Sequence, residues 1–199
     1  MTDWQAHYER RETPWDRGGP SPALLGWLKE HRMTGRVLVP GCGHGHDLTA
    51  LANSGAEEVH GLDIAPGAVA LAQQRTAGLH GVSVAPGDLF SLPDTTPVGG
   101  YDWMFEHTCF CAIPRDRRGD YVRSAAHTLG QGGHLLAVFY LRPWDEGEDQ
   151  EQGPPFGCTE EELGRRFSPY FELLSSAVPT RAYSGREGKE LLRLLRRKL

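Results

Sequence analysis

The chain has 199 residues and a net charge of −5, with 39% apolar and 24% charged residues. That length supports one domain with a sizeable core, and the balance is that of a folded globule rather than a disordered chain. The negative charge argues against a phosphate-neutralising surface, so no nucleic-acid partner is expected, and no apolar run approaches the ~20 residues of a membrane span.

Residues 1–20 stand apart as an N-terminal segment. Trp4 to Trp15 is aromatic and charged, Pro14 interrupts it, and Gly18-Gly19-Pro20 breaks it. Ser21 looks like an N-cap with Pro22 at the first helical position. The helix it opens carries Leu24, Leu25, Trp27 and Leu28 and is predicted to end near Gly35. Arg36-Val37-Leu38-Val39-Pro40 is a short apolar run, hence a buried strand. It meets the turn Gly41-Cys42-Gly43-His44-Gly45. A helix follows with Leu48, Leu51 and Ala52 on one face, stopped by Asn53-Ser54-Gly55. Glu57 to Leu62 is a second strand ending at Asp63, and Pro66 opens a helix through Val69, Leu71 and Ala72. Val82-Ser83-Val84 is a third strand, ending near Gly87-Asp88. Tyr101 to Glu106 is a fourth. A helix around Asp116 to Leu129 is expected to stop at Gly130, Gly132 and Gly133, before a fifth strand from His134 to Tyr140.

Residues 142–158 break the pattern, and Arg142 to Pro155 is rich in Asp, Glu, Gly and Pro, as a surface loop is. Thr159 with Glu162 forms a capping box. Phe171 to Val178 is a further strand. Leu191, Leu192, Leu194 and Leu195 fit helical spacing better than strict alternation. Strands alternating with helices imply βαβ units and a parallel sheet, here within a single domain over 1–199. Met1 to Arg11 lacks the apolar core of a signal peptide. Cys42, Cys109, Cys111 and Cys158 form no C-x-x-C pair. A cytoplasmic monomer is the expectation.

The chemistry-bearing residues fall at strand ends. Glycines at 41, 43 and 45 let the backbone turn tightly and let a ligand approach. A dinucleotide fingerprint would want glycine where this chain has His46; G-x-G-x-G is the spacing of nucleoside-binding methyltransferases. Asp63 ends the second strand, 22 residues after Gly41, which suits a carboxylate accepting from two ribose hydroxyls. Asp88 is placed for an adenine amino group, and Glu106 ends the fourth strand. In open α/β sheets ligands bind at such carboxyl ends.

Val39-Pro40-Gly41-Cys42-Gly43-His44-Gly45-His46-Asp47 with Gly61-Leu62-Asp63-Ile64 resembles the thiopurine/thiol/halide methyltransferase family. Most methyltransferases carry an acid two positions before the first glycine; here Val39 stands there, followed by Pro40. Thr13-Pro14-Trp15-Asp16 and Glu106-His107-Thr108-Cys109-Phe110-Cys111-Ala112-Ile113 carry the resemblance further, over roughly residues 4–140. It implies an α/β class I fold, a Rossmann-like seven-stranded, mostly parallel sheet flanked by helices, whose last two segments are an antiparallel strand pair. It implies S-adenosylmethionine as methyl donor, S-adenosylhomocysteine as product, and a small-molecule acceptor: a thiol, thiopurine, hydrosulfide, halide or metalloid oxyanion. The cofactor site it implies comprises Trp4, Tyr8, Trp15, Gly41, Gly43, Asp63, Ile64, Asp88, Leu89, Glu106 and His107. Aromatic faces there attract the sulfonium cation, with the N-terminal segment acting as a lid. The chain departs from the family at His107, often Tyr, and at Cys109, often Phe, which points to a smaller, more polar pocket wall.

Methyl transfer to an anionic nucleophile is an in-line displacement that needs positioning and a dry site more than a base. If a thiol must lose its proton, His107 is the candidate catalytic residue. His44 and His46 beside Cys42, or His107 with Cys109 and Cys111, could suggest zinc, but the cofactor already accounts for those loops and no metal is expected. The cysteines are expected to be small apolar residues rather than nucleophiles. Two rivals are a catalytically inactive S-adenosylmethionine-binding module and an NAD-dependent oxidoreductase, the latter disfavoured by His46. Acceptor choice is expected to lie in Trp4–Pro20, His107–Pro114 and Arg142–Pro155.

Overall fold

A computed structural model describes residues 2–92, 96, 98–144 and 153–199. Part of the expected 142–158 loop, residues 145–152, lies outside them. Seven strands form one sheet: β1 (Arg36–Pro40), β2 (Glu58–Asp63), β3 (Val82–Pro86), β4 (Tyr101–His107), β5 (Leu129–Tyr140), β6 (Phe171–Ala177) and β7 (Glu190–Arg197). Their order is β3-β2-β1-β4-β5-β7-β6. The first five run parallel, and β7 pairs antiparallel with both β5 and β6. β1 and β4 are neighbours although β2 and β3 come between them in sequence. The chain therefore winds outward from β1 in one direction and from β4 in the other. A crevice opens outside the carboxyl ends of the two strands at such a switch point.

Two apolar layers hold helices on the sheet. α5 (Arg118–Thr128) and α6 (Glu160–Phe167) bury Tyr121, Val122, Ala125, Leu163 and Phe167 against Leu38, Met104, Leu135 and Phe139. On the other face α2 (Pro22–Trp27), α3 (His46–Asn53) and α4 (Pro66–Thr76) bring Leu24, Leu48, Leu51 and Ala72 against Val37, Val39, Phe105 and Leu136. Successive residues Met104 and Phe105 thus serve opposite layers, as the period of two requires.

The parallel strands and their helices lie where the sequence pattern places them, with three differences. α2 stops at Trp27, and only turns continue from Leu28. The expected stop at Gly130, Gly132 and Gly133 is instead the start of β5. Gly130 and Gly133 join the sheet where neighbouring backbone comes close: a Cβ on Gly130 would stand 2.4 Å from the Gly99 carbonyl oxygen, and one on Gly133 3.0 Å from that of Tyr101. The leucines of 189–198 form β7. Leu191 and Leu195 pack into one layer and Leu192 and Leu194 into the other. A strand covered on both faces is apolar on both, and so mimics helical spacing. The antiparallel pair implied by the family resemblance is present.

Candidate functional site

The turn after β1 is built by glycine. Gly41, Gly43 and Gly45 have φ of 61°, 52° and 77°, a region L side chains rarely occupy. A Cβ on Gly45 would also meet Ala72 of α4 at 3.0 Å, so glycine there lets α3 and α4 approach. The turn is locked by the Cys42 amide donating to Leu62 O at 3.0 Å.

Asp63 closes the same turn. Its Oδ2 accepts the Gly43 amide at 3.0 Å and its Oδ1 the Ala65 amide at 2.9 Å. The carboxylate is 9% exposed. Burial pushes its carboxyl above the ordinary range, while the amides of Ala65, Gly43 and Ile64 pull against that. Each oxygen keeps a lone pair for a further donor. Ile64 beside it is 51% exposed, an apolar surface at the strand end. Asp88 is exposed and binds the Phe90 amide at 2.9 Å through one oxygen, leaving the other open. The Leu89 side chain is buried in the core, so only its backbone faces the strand ends.

Residues 4–21 lie across these ends. α1 (Trp4–Arg10) is capped by Asp3, whose side chain accepts the Ala6 amide. It docks on the start of α4, where Gln5 accepts the Gly67 amide at 2.8 Å. Trp15 meets Trp4 edge-on at 5.3 Å and Tyr8 at 5.9 Å, and its indole donates to the Tyr8 hydroxyl at 3.4 Å. Tyr8 lies 5.6 Å from the His44 ring. A Cβ on Gly43 would stand 3.4 Å from the Tyr8 hydroxyl. Trp4, Tyr8, Trp15 and the glycine turn are therefore one cluster.

Asp16 fastens the segment down. Its carboxylate bridges His44 Nδ1 and His46 Nε2, the latter at 3.1 Å. Burial would raise this carboxyl, but the Gly18 amide and the two imidazoles outweigh that and hold it below its ordinary value. His46 is pushed down by burial and by Arg75, with Asp16 opposing. Their donor atoms lie within 4.8 Å of one another. The carboxylate faces both rings within this cluster, which makes it a clasp between the segment and the glycine turn. Arg17 donates to Ser184 O and Tyr183 to Gly19 O, at 2.9 and 2.5 Å, completing the fastening.

β4 delivers Glu106 and His107 differently. The Glu106 carboxylate turns into the core, 1% exposed, and takes bonds from the Tyr121 hydroxyl and the Phe110 amide. Burial pushes its carboxyl up, against those bonds. The side chain's acceptors are thus directed to the core, which leaves the Glu106 backbone at the strand end. His107, by contrast, lies at the strand end with Nδ1 3.0 Å from Asp47 Oδ2. Thr108 follows with φ 63°, a strained turn of the kind that gathers at active sites. Sequence reasoning missed Asp47 and Tyr183 as neighbours of His107. Asp47 was visible as the end of the family-like stretch and as an acid in the first turn of α3, and neither points to His107. Burial pushes the thiols of Cys42, Cys111 and Cys158 up to about 12, and that of Cys109 well up.

The residues present fit the expected methyl donor. A positive-φ glycine cradle, a buried carboxylate with spare lone pairs, an exposed isoleucine and an aromatic cluster gather at the switch point of the sheet.

The sequence profile described as thiopurine S-methyltransferase matches residues 1–191. A probable thiol methyltransferase 2 of Arabidopsis thaliana is 31% identical over 95% of this chain and 82% of its own length. Thiocyanate methyltransferase 1 of the same plant is 30% identical over the same shares. Among solved structures, the Burkholderia thailandensis 1,6-didemethyltoxoflavin-N1-methyltransferase, with bound substrate and S-adenosylhomocysteine, superposes with a TM-score of 0.73. It is 20% identical, covering 99% of this chain and 86% of that one.

Proposed function

The chain belongs to the thiopurine S-methyltransferase family and moves a methyl group from S-adenosylmethionine to a small-molecule nucleophile; on that premise we propose that its acceptor is a thiol and that the cluster at the switch point binds the donor. The observation that carries the donor assignment is Asp63, buried at the end of β2 and tied to the glycine turn through the Gly43 amide. In this reading Asp63 accepts from the ribose hydroxyls, Ile64 covers one adenine face, and Asp88 with the Leu89 amide holds the adenine edge. Gly41 and Gly43 let the donor's amino-acid end approach the backbone, and Glu106 contributes its main chain there. S-adenosylmethionine supplies a methyl group on a cationic sulfur. Trp4, Tyr8 and Trp15 offer that cation aromatic faces and exclude water.

A thiol is favoured by the wall the chain builds around His107. His107 and Cys109 stand where related enzymes often carry larger aromatics, beside the stacked Tyr183 ring. No described helix is long and apolar enough to cross a membrane. Four free cysteines support a reducing, cytoplasmic setting, and we assign a monomer without nucleic-acid or membrane partners. Residues 1–20 act as the lid of a single domain over 1–199. The test is calorimetry with S-adenosylhomocysteine, followed by an acceptor screen with methylated product identified by mass. Donor binding without turnover of any thiol, halide or oxyanion would leave a binding module instead.

A further inference from the structure

His107 is held on several sides. Nδ1 faces Asp47 at 3.0 Å, and the side chain is only 9% exposed. Asp47 is itself fixed, since its other oxygen accepts the Ser21 amide at 2.7 Å. Tyr183 stacks on the imidazole, with centroids 5.9 Å apart and planes at 22°, and is anchored in turn on Gly19. The Thr108 hydroxyl donates to the His107 carbonyl at 2.7 Å. Yet His107 Nε2 is buried with no hydrogen-bond partner among the described residues. Leaving such a nitrogen unpaired is costly, and native structures keep few. An ionised carboxylate on Nδ1 fixes the tautomer: Nδ1 carries the hydrogen and Nε2 presents its lone pair.

Resting on the methyl-transfer reading above, we propose that Asp47 and His107 form an orienting carboxylate–imidazole pair that deprotonates an acceptor arriving as a neutral aliphatic thiol. Such a thiol, with a pKa near or above about 8.5, is mostly protonated at neutral pH. A halide or thiocyanate would give this pair nothing to do. In the step, the Nε2 lone pair takes the proton and the S–H electron pair stays on the acceptor sulfur. That sulfur forms the new S–C bond, and the pair of the broken C–S bond stays on the donor's sulfur. The proton leaves to water from the imidazolium, which Asp47 stabilises meanwhile. His107 is the base and Asp47 a positioning residue. The other titratable groups around the ring are Tyr183, on which Arg186 (5.6 Å from its ring centroid), Glu190 and Asp16 act, and Glu106, whose carboxylate points away to Tyr121. Burial pushes the Tyr183 phenol up, so it stays neutral.

The experiment compares two sulfur acceptors on the purified enzyme: 2-mercaptoethanol, protonated at pH 7, and 4-nitrothiophenol, already a thiolate. His107→Gln and Asp47→Asn are expected to lose about 100-fold or more in kcat with the first and less than about 3-fold with the second. Their loss with mercaptoethanol shrinks toward pH 9, where the thiolate forms unaided. Equal losses with both acceptors overturn the proposal. Wild-type enzyme gives a test that needs no variant. If its kcat/KM for mercaptoethanol simply tracks the free thiolate from pH 6 to 9, no base acts and the pair is only structural. Turnover of nitrothiophenol without any aliphatic thiol leaves methyl transfer standing and removes the pair; failure to bind S-adenosylhomocysteine removes the donor reading and the proposal with it.

Discussion

Replacing Asp63 with Ala separates two roles that this carboxylate combines. Without ligand, the change leaves the Gly43 and Ala65 amides without their acceptor. Each costs roughly 1–3 kcal/mol if water does not replace the oxygen. The unliganded protein should therefore lose a few kcal/mol in urea unfolding. With ligand, the ribose loses a charged acceptor, worth about 1.5–3 kcal/mol or about 10- to 150-fold in affinity. The two effects separate through linkage. At a product concentration 1,000 times the wild-type dissociation constant, S-adenosylhomocysteine stabilises the wild type by about 4.1 kcal/mol. The same concentration should stabilise the variant by only about 1.2–2.7 kcal/mol. Urea titrations with and without the product measure both numbers, and calorimetry checks the affinity directly. If the ligand increment survives intact while unliganded stability drops, Asp63 merely closes the turn and the ribose lies elsewhere.

Glu106→Gln should leave S-adenosylhomocysteine affinity within about 3-fold, because the carboxylate faces Tyr121 rather than a ligand; a tenfold loss by calorimetry would return it to the site. The same variant carries a pH signature. Burial raises the folded-state pKa of Glu106, so the native state holds this proton more tightly and wild-type stability falls as pH rises through that value. Gln removes that part of the slope, and urea midpoints across pH 5 to 9 read it. Arg118 is fully buried over the Phe110 ring and bonds Glu162 and the carbonyls of Phe156 and Gly157. Arg118→Ala should cost about 3–5 kcal/mol, and a loss under 1 kcal/mol in urea would contradict the geometry. His46 has its pKa lowered by burial and Arg75, as His134 has by burial and Arg196. A lowered imidazole contributes stability that is present above its unfolded value, near 6.5, and lost as pH falls below it. His46→Gln with His134→Gln should therefore flatten the melting-temperature decline between pH 7 and 5; an unchanged decline assigns it to other groups.

What sequence could and could not reveal follows from how local each signal is. The glycine turn and Asp63 were legible because a strand end and a helix start lie adjacent in the chain, and the fold then aligns successive strand ends. For Glu106 the sequence reading reached the strand end but not the side chain. Its position at a strand end is local, but the direction of its side chain depends on Tyr121, fifteen residues on. Asp47 and His107 are sixty residues apart, and nothing in either neighbourhood announces the other. The Asp16 clasp likewise joins segments 28 and 30 residues apart. Gly130 and Gly133 looked like a helix stop because glycine punctuates helices and permits close strand approach alike.

The position of β7 bears on how the protein is made. Of the seven strands it is last to be synthesised, yet it is inserted between β5 and β6. When β6 leaves the ribosome it has no partner, and the flank of β5 that later pairs with β7 is open, its backbone donors and acceptors unsatisfied. Sheet assembly during synthesis therefore halts at five strands, two short of the full sheet, with a bare edge on β5 exposed next to apolar side chains. Such an intermediate is prone to edge-to-edge association. Variants that slow translation or delay docking of Glu190–Arg197 should therefore reduce soluble yield before they alter the melting temperature of the finished protein.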